Sequence, residues 1–383
     1  MSTAIRTTLF FVILSFFLAS HLTAQNDCPP VTKLKELYTN NKKFKRTVNQ
    51  MFKNVHDLPD GSPNPWRNKG IQELYAFLND WFYFLPSKNN GLDRILMFSF
   101  LYYKNPDGKK FILEEPGLSW SLFFVEERGK YMDSPASTKN LKEWLSDTSL
   151  KNEDFVLPRG GFKSFNEFFT RALKPGARPI AAVNDNSVLV APADGVINMI
   201  NNDLKLDTQI PTKGTMTLSL EALLGSSEYS KKFVGGTALA VFLMPDNYHH
   251  YHAPISGTVV ESKVHVGSRL FGMPDILDMI NKGNPGYNKD YSVFQDFKHG
   301  YFIIETKDYG HIAMIPIGLQ TVGSVVFETP FRNVTPNSSV KVYKGQKMGH
   351  FAYGGSTVLL LFEKNRLSSL SVQQGQQIGT LRN

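Results

Sequence analysis

From about Pro30 to Pro158 the apolar residues recur three and four positions apart, the spacing that lays one face of a helix against a core. Leu74, Phe77, Leu78, Trp81 and Leu85 form one such stripe, which Pro86 ends because proline has no amide to donate and crowds the preceding turn. Leu92, Ile95, Leu96, Ser99 and Tyr103 form a second, which stops at Asn105-Pro106-Asp107-Gly108, read as a turn. Aromatic rings at helical spacing belong in a core, with contact to a membrane surface as the competing reading. Near Gly160-Gly161 the character changes. Ser164-Phe165-Asn166-Glu167 has the form of a capping box and predicts a helix through Phe168, Phe169, Arg171 and Leu173, closed by Pro175-Gly176.

Beyond Pro179 the chain turns to short runs of Val, Ile, Leu and Phe bounded by Gly, Pro and Asn, which predict strands. These are Val188–Val190, Ala238–Leu243, Tyr301–Glu305, Ile312–Ile315 and Val358–Phe362, with a hairpin turn at Asp308-Tyr309-Gly310 and a short helix around Leu218 to Leu224. The expected fold class is α+β, with a helical domain over residues 25–160 and a β-rich catalytic domain over 161–383. There is no internal repeat and no low-complexity tract.

A chain of 383 residues with 42% hydrophobic and 20% charged content is a packed protein, not a disordered one. Residues 1–24 carry Arg6, an apolar run from Leu9 to Ala19 and small residues ending at Ala24, the layout of a secretory signal peptide. An uncleaved anchor is the rival, but the run falls short of the ~20 residues a spanning helix needs. Export is argued from that segment alone, because the one cysteine, Cys28, excludes an internal disulfide. The residues before Cys28 do not form a lipid-attachment box. The expectation is a secreted or periplasmic protein that is soluble or peripheral at a membrane. A net charge of +8 favours anionic surfaces, lipid headgroups among them, although scattered lysines are equally a solvated surface. Nucleic acid is not an expected partner, since no motif for it is present. Asn333-Val334-Thr335 and Asn337-Ser338-Ser339 are glycosylation sequons with meaning only in a eukaryotic secretory route.

Three segments carry candidate chemistry. Ala191-Pro192-Ala193-Asp194-Gly195 puts a carboxylate beside a glycine that permits close approach, and is otherwise a turn. Tyr248-His249-His250-Tyr251-His252 places three histidines directly after a strand, suited to proton transfer near neutral pH. Clustered histidines also bind zinc or copper, but alternate strand positions face opposite ways, so no metal is expected. Tyr353-Gly354-Gly355-Ser356-Thr357 leads into an apolar strand. It reads as a turn, or as a serine nucleophile lacking the glycine of a hydrolase elbow, or as a strained turn in which Ser356 Oγ can attack the Gly355 carbonyl.

In this order and spacing the three segments resemble those of the phosphatidylserine decarboxylase family of pyruvoyl enzymes. The resemblance extends to Phe168-Phe169-Thr170-Arg171-Ala172-Leu173-Lys174-Pro175-Gly176-Ala177-Arg178-Pro179, Ile317-Gly318, Val322-Gly323-Ser324, Lys344-Gly345 and Gly349-His350-Phe351. Two positions depart from it: His250 stands where the commonest form has arginine, and the last motif begins Gly-Gly rather than Leu-Gly. The helical region before residue 160 is similar to the leader of a branch that includes soluble decarboxylases of amino acids such as tryptophan.

The resemblance implies that Asp194, His252 and Ser356 form a self-cleavage triad, that the chain is cut between Gly355 and Ser356, and that Ser356 becomes a pyruvoyl cofactor. His249 is the candidate for holding the substrate carboxylate and returning a proton to the α-carbon, with a packing role as the alternative. The two resulting chains would stay together. The substrate implied is phosphatidylserine, giving phosphatidylethanolamine and carbon dioxide, with a free amino acid such as tryptophan as the alternative. A binding protein on a catalytically dead copy of the fold is the reading from another class, as is a histidine-metal hydrolase.

Overall fold

A computed structural model describes residues 26–87, 90–206, 219–244, 246–272, 295–318, 324–352, 354, 356–376 and 379. The expected signal peptide and Gly355 lie outside the described residues. The chain divides into two compact units, residues 1–85 with 92–131 and residues 86–91 with 132–383.

The first unit is helical: α1 (Pro29–Asn40), α2 (Lys42–Lys53), α3 (Ile71–Tyr83), α4 (Asp93–Ser99), α5 (Pro106–Leu113) and most of α6 (Gly117–Met132). Its predicted apolar stripes are core. Leu74, Phe77, Leu78 and Trp81 of α3 are buried, and Trp81 packs on Phe124 with ring centroids 4.9 Å apart. The buried indoles satisfy their one donor: Trp66 Nε1 donates to the Met97 carbonyl at 2.7 Å and Trp120 Nε1 to that of Pro30 at 2.8 Å. Asn105-Pro106 does not end a helix as expected but starts α5. The Asn105 side chain accepts from the Gly108 amide, and Pro106 occupies a first-turn position whose missing N–H costs nothing.

The second unit takes in residues 132–160, which the apolar pattern had grouped with the helical part. Trp144, on α7 (Leu141–Ser146), packs against Phe165 and Phe168 at 6.1 and 5.8 Å, and Ser137 Oγ accepts from the Phe165 amide. Ser164 caps α8 (Phe165–Phe169) by accepting from the Glu167 amide. This helix is shorter than expected: it stops at Phe169, and Leu173 forms a bridge with Phe155 instead.

The sheets are antiparallel. The larger has seven strands in the order β1-β2-β10-β6-β5-β4-β8 and the smaller has three in the order β3-β9-β7. Their ranges are β1 Val196–Asn202, β2 Thr237–Leu243, β3 His250–His252, β4 Gly257–Val266, β5 His299–Glu305, β6 His311–Gly318, β7 Ser324–Phe327, β8 Val340–Val342, β9 Lys347–Ala352 and β10 Ser356–Phe362. Every residue of β6 and β10 is buried, which is why these strands read as unbroken apolar runs rather than alternating ones. Val358, Leu360 and Phe362 of β10 share one core with Tyr251, Phe327, Met348 and Phe351 of the smaller sheet. Val188–Val190, expected as a strand, joins no ladder; the Val190 amide donates to the Pro254 carbonyl. The α+β expectation agrees with this architecture. Among the described residues no helix is long and apolar enough to cross a membrane.

Candidate active site

Ser356 opens β10, where its backbone lies between Leu243 of β2 and Gly318 of β6. The turn before it needs glycine at 354, whose φ of 139° is a conformation that side chains rarely permit. Because β2 ends beside Ser356, the chain that follows β2 carries its histidines back towards the same place. Ser356 Oγ is buried and stands 3.3 Å from His249 Nδ1. His249 Nε2 is 3.1 Å from the Met244 carbonyl oxygen. A carbonyl can only accept, so in the neutral ring Nε2 carries the proton and Nδ1 offers its lone pair to the serine hydroxyl. The Phe169 ring covers this imidazole with centroids 4.0 Å apart, and His249 has no exposed surface.

His252 has other partners. A register shift between Tyr251 and His252 interrupts β3, after which His252 Nδ1 donates to the Gly345 carbonyl at 2.8 Å and Nε2 accepts from the Tyr248 hydroxyl at 3.1 Å. Its amide donates to the Pro192 carbonyl at 2.8 Å, tying the histidine segment to the one that holds Asp194. The Asp194 segment runs tight against β2: a Cβ on Gly195 would lie 2.4 Å from the Phe242 carbonyl oxygen, so only glycine fits there.

The Asp194 carboxylate is held by Arg178, whose Nη2 is 2.9 Å from Oδ2 while Nη1 reaches Asp154 at 2.6 Å. Those hydrogen bonds, Asp194's above all, raise the Arg178 pKa despite partial burial. Burial pushes His252 below the usual imidazole value while the Asp194 charge pulls it back, and burial pushes the Tyr248 phenol up with Asp194 adding to the rise. The Asp194 charge is therefore felt at His252. Among the described hydrogen bonds, however, none joins Asp194 to His252 or His252 to Ser356.

His250 points elsewhere. Its ring stacks on Tyr248, centroids 4.6 Å apart and 3° from parallel, and Nε2 lies 2.9 Å from the Thr170 carbonyl oxygen. Burial pushes its pKa down to about 3, so the ring is neutral. An arginine at this position would put a permanent charge there, which gives the departure from the usual family pattern a physical meaning.

Several residues around the site carried no sequence signal of their role. Arg178 and Phe169 lie within the quoted motif, but nothing in spacing links the first to Asp194 or the second to His249. Arg171 is buried with its guanidinium between the rings of Phe155 and Phe168, 4.0 and 4.6 Å from their centroids. Among the described residues no three His, Cys, Asp or Glu side chains converge as a metal site. A cleft of ≈ 470 Å³ lined by Leu37, Pro116, Trp120 and Phe123 belongs to the helical unit and contains none of the site residues.

A buried hydroxyl against the lone pair of a fixed neutral imidazole is an arrangement for drawing a proton from serine. The family described as phosphatidylserine decarboxylase matches residues 165–380. A phosphatidylserine decarboxylase proenzyme of Clostridium novyi (strain NT) is 35% identical over 245 residues, 64% of this chain and 76% of that one. One from Fusobacterium nucleatum subsp. nucleatum is 34% identical over 268 residues, 70% of this chain and 81% of its own. Phosphatidylserine decarboxylase proenzyme 2 of Oryza sativa subsp. japonica is 34% identical over 245 residues, 63% of this chain but 36% of its own. By the extent of these matches, the chain belongs to the phosphatidylserine decarboxylase family.

Proposed function

We propose that this chain is a precursor that cuts itself between Gly355 and Ser356 and then decarboxylates phosphatidylserine to phosphatidylethanolamine and carbon dioxide. The observation that carries the reading is the 3.3 Å approach of Ser356 Oγ to His249 Nδ1 in a site with no water-exposed surface on either side chain. Relatives named as proenzymes of this activity support it.

In the cut, Ser356 Oγ gives up its proton, attacks the carbonyl carbon of residue 355 and displaces the amide nitrogen, leaving an ester. Elimination frees the carboxylate of Gly355 and a dehydroalanine at 356. One water molecule then replaces its nitrogen, which leaves as ammonia, and residue 356 becomes pyruvoyl. The site fits such a group: residue 356 is small and buried, so an uncharged ketone replaces the hydroxymethyl without placing a charge in the interior. When formed, the group supplies an electron-accepting carbonyl for the departure of carbon dioxide. His249 faces Ser356 Oγ and so is placed to draw the serine proton in the cut. His249, against residue 356, is placed to return a proton to the substrate α-carbon, while Phe169 keeps solvent from it. His252 with Asp194 is the base for the cut that the family resemblance implies. In that role its Nε2 must first be released by the Tyr248 hydroxyl.

The same reading includes export by residues 1–24, a small chain 356–383 that stays bound after the cut, and catalysis at a membrane surface. Intact mass of the purified protein tests the cut: the expected result is two chains meeting at 355/356, the smaller sensitive to phenylhydrazine, together with carbon dioxide from phosphatidylserine vesicles. A single unreactive chain sinks the proposal. A cut chain that acts on tryptophan and ignores the lipid sinks its substrate.

A further inference from the structure

Helix α2 has an uneven charge pattern that its own stability does not explain. Phe44, Val48, Met51 and Phe52 are buried, while Lys42, Lys43, Lys45, Arg46 and Lys53 are exposed, and the helix contains no Asp or Glu. Lys42, Lys45, Arg46 and Lys53 follow one another at i, i+3, i+4 and i+11, which lines them along a single face over ~16 Å of helix. Like charges three and four apart repel, and two lysines in the first turn oppose the helix dipole. Both features work against the helix.

Elsewhere in the helical unit six cations stand in ion pairs. Lys33 pairs with Glu36, Lys35 with Asp27, Arg67 with Asp57, Arg94 with Asp80, Lys110 with Asp107 and Lys130 with Glu127. Among the described residues no ion pair involves a cation of α2, and Lys45 lies over the Tyr38 ring, 5.1 Å from its centroid. The adjoining α5, which packs on α2, adds the exposed Lys109. The aromatic residues of the unit do not compete for this role, since Phe77, Trp81, Trp120 and Phe124 are in its core.

We infer that the basic face of α2 is an electrostatic docking surface for an anionic lipid bilayer. The occupant is argued from charge: a row of mobile, hydrated cations with no shape-specific pocket suits a fluid negative surface better than a single ligand. The inference rests on the proposed decarboxylation of phosphatidylserine for one further consequence. That headgroup carries one net negative charge and its decarboxylated product carries none, so turnover removes the charge that holds α2 to the surface. Docking would favour membrane rich in substrate and lapse where substrate has been used.

The test is flotation of the full chain with vesicles of phosphatidylcholine containing 30% phosphatidylserine, phosphatidylglycerol or phosphatidylethanolamine, about 30 mol% being chosen to give a strong surface potential. The variant combines Lys42→Gln, Lys45→Gln, Arg46→Gln and Lys53→Gln; retained helical circular dichroism and an unchanged mass pattern report that it folds. Expected are binding to both anionic compositions and little to the third, release in 1 M salt, and a loss of about 100-fold or more in partition for the variant. On phosphatidylserine vesicles active protein should dissociate as product accumulates, whereas Ser356→Ala protein should stay. Equal binding of variant and parent, equal binding to all three compositions, or preference for an RNA oligomer over anionic vesicles would overturn the inference. Binding to phosphatidylglycerol without any carbon dioxide from phosphatidylserine would uphold the docking surface and reject the enzymatic reading.

Discussion

An imidazole that is neutral and has its proton committed to a backbone carbonyl presents a fixed lone pair, and the Met244 carbonyl selects that tautomer of His249 beside Ser356. Replacing His249 with alanine is expected to lower carbon dioxide release by ~100-fold or more, the usual worth of a positioned acid or base. Intact mass then tells which step failed: an uncut chain assigns His249 to the serine proton, and a cut chain assigns it to the substrate. Unchanged release would remove it from the chemistry. Asp194, the histidines and Ser356 stood out in the sequence as candidates, but each segment had a bland reading as well, and their order and roles gained meaning from the family resemblance. What those residues touch was not. The Arg178 bridge to Asp194 and the Tyr248 hydroxyl on His252 depend on where distant turns bring the chain, and a register shift inside β3 decides which way His252 faces.

Apolar runs announced the strands that form the middle of the larger sheet, because burial on both faces leaves no room for polar positions. Local signals with two meanings were less readable. Asn-Pro marks a turn or a helix start, and at Asn105-Pro106 the packing of α5 against α2 favours the start. Val188–Val190 has strand composition but lies where a lysine organises the chain: the buried Lys344 amine donates to the carbonyls of Ala182, Asp185 and Val188, a set of long-range bonds no local pattern reveals. Gly195 is the opposite case, a glycine whose purpose the β2 contact makes plain. Gly195→Ala is expected to destabilise the second unit by about 2–4 kcal/mol, because the added carbon meets backbone that cannot yield as a side chain would. Urea denaturation checks this, and an unchanged midpoint would mean that the segment is free to move away from β2.

For the β-rich unit as a whole, buried histidines set the response to acid. His250, His252, His299 and His350 all have pKa values lowered first by burial, so in the folded state they stay neutral below the 6.5 at which the unfolded chain takes up protons. Between that value and the lowered ones the unfolded state binds more protons, and stability therefore rises with pH across this window and is lost as pH falls through it. Thermal midpoints should be flat above about pH 7 and drop steadily from pH 6.5 to 4, and His250→Gln should shallow the drop. An unaltered slope in that variant would show that carboxylates govern the acid limb instead.

The strand that begins at Ser356 is third of seven in its sheet, hydrogen-bonded along its length to β2 on one side and β6 on the other. The proposed cut just before it would not cut a tail loose; it would turn an interior strand into a subunit. Departure of that strand would open two raw sheet edges and expose seven buried side chains, so the two pieces would be held by the same ladder that folded them. If the proposed cut takes place, folding and cutting would have to occur in that order and only once. A molecule unfolded after the cut would need a collision between two chains to rebuild what a single chain had assembled within itself, and its native state would be defended by a barrier more than by an equilibrium.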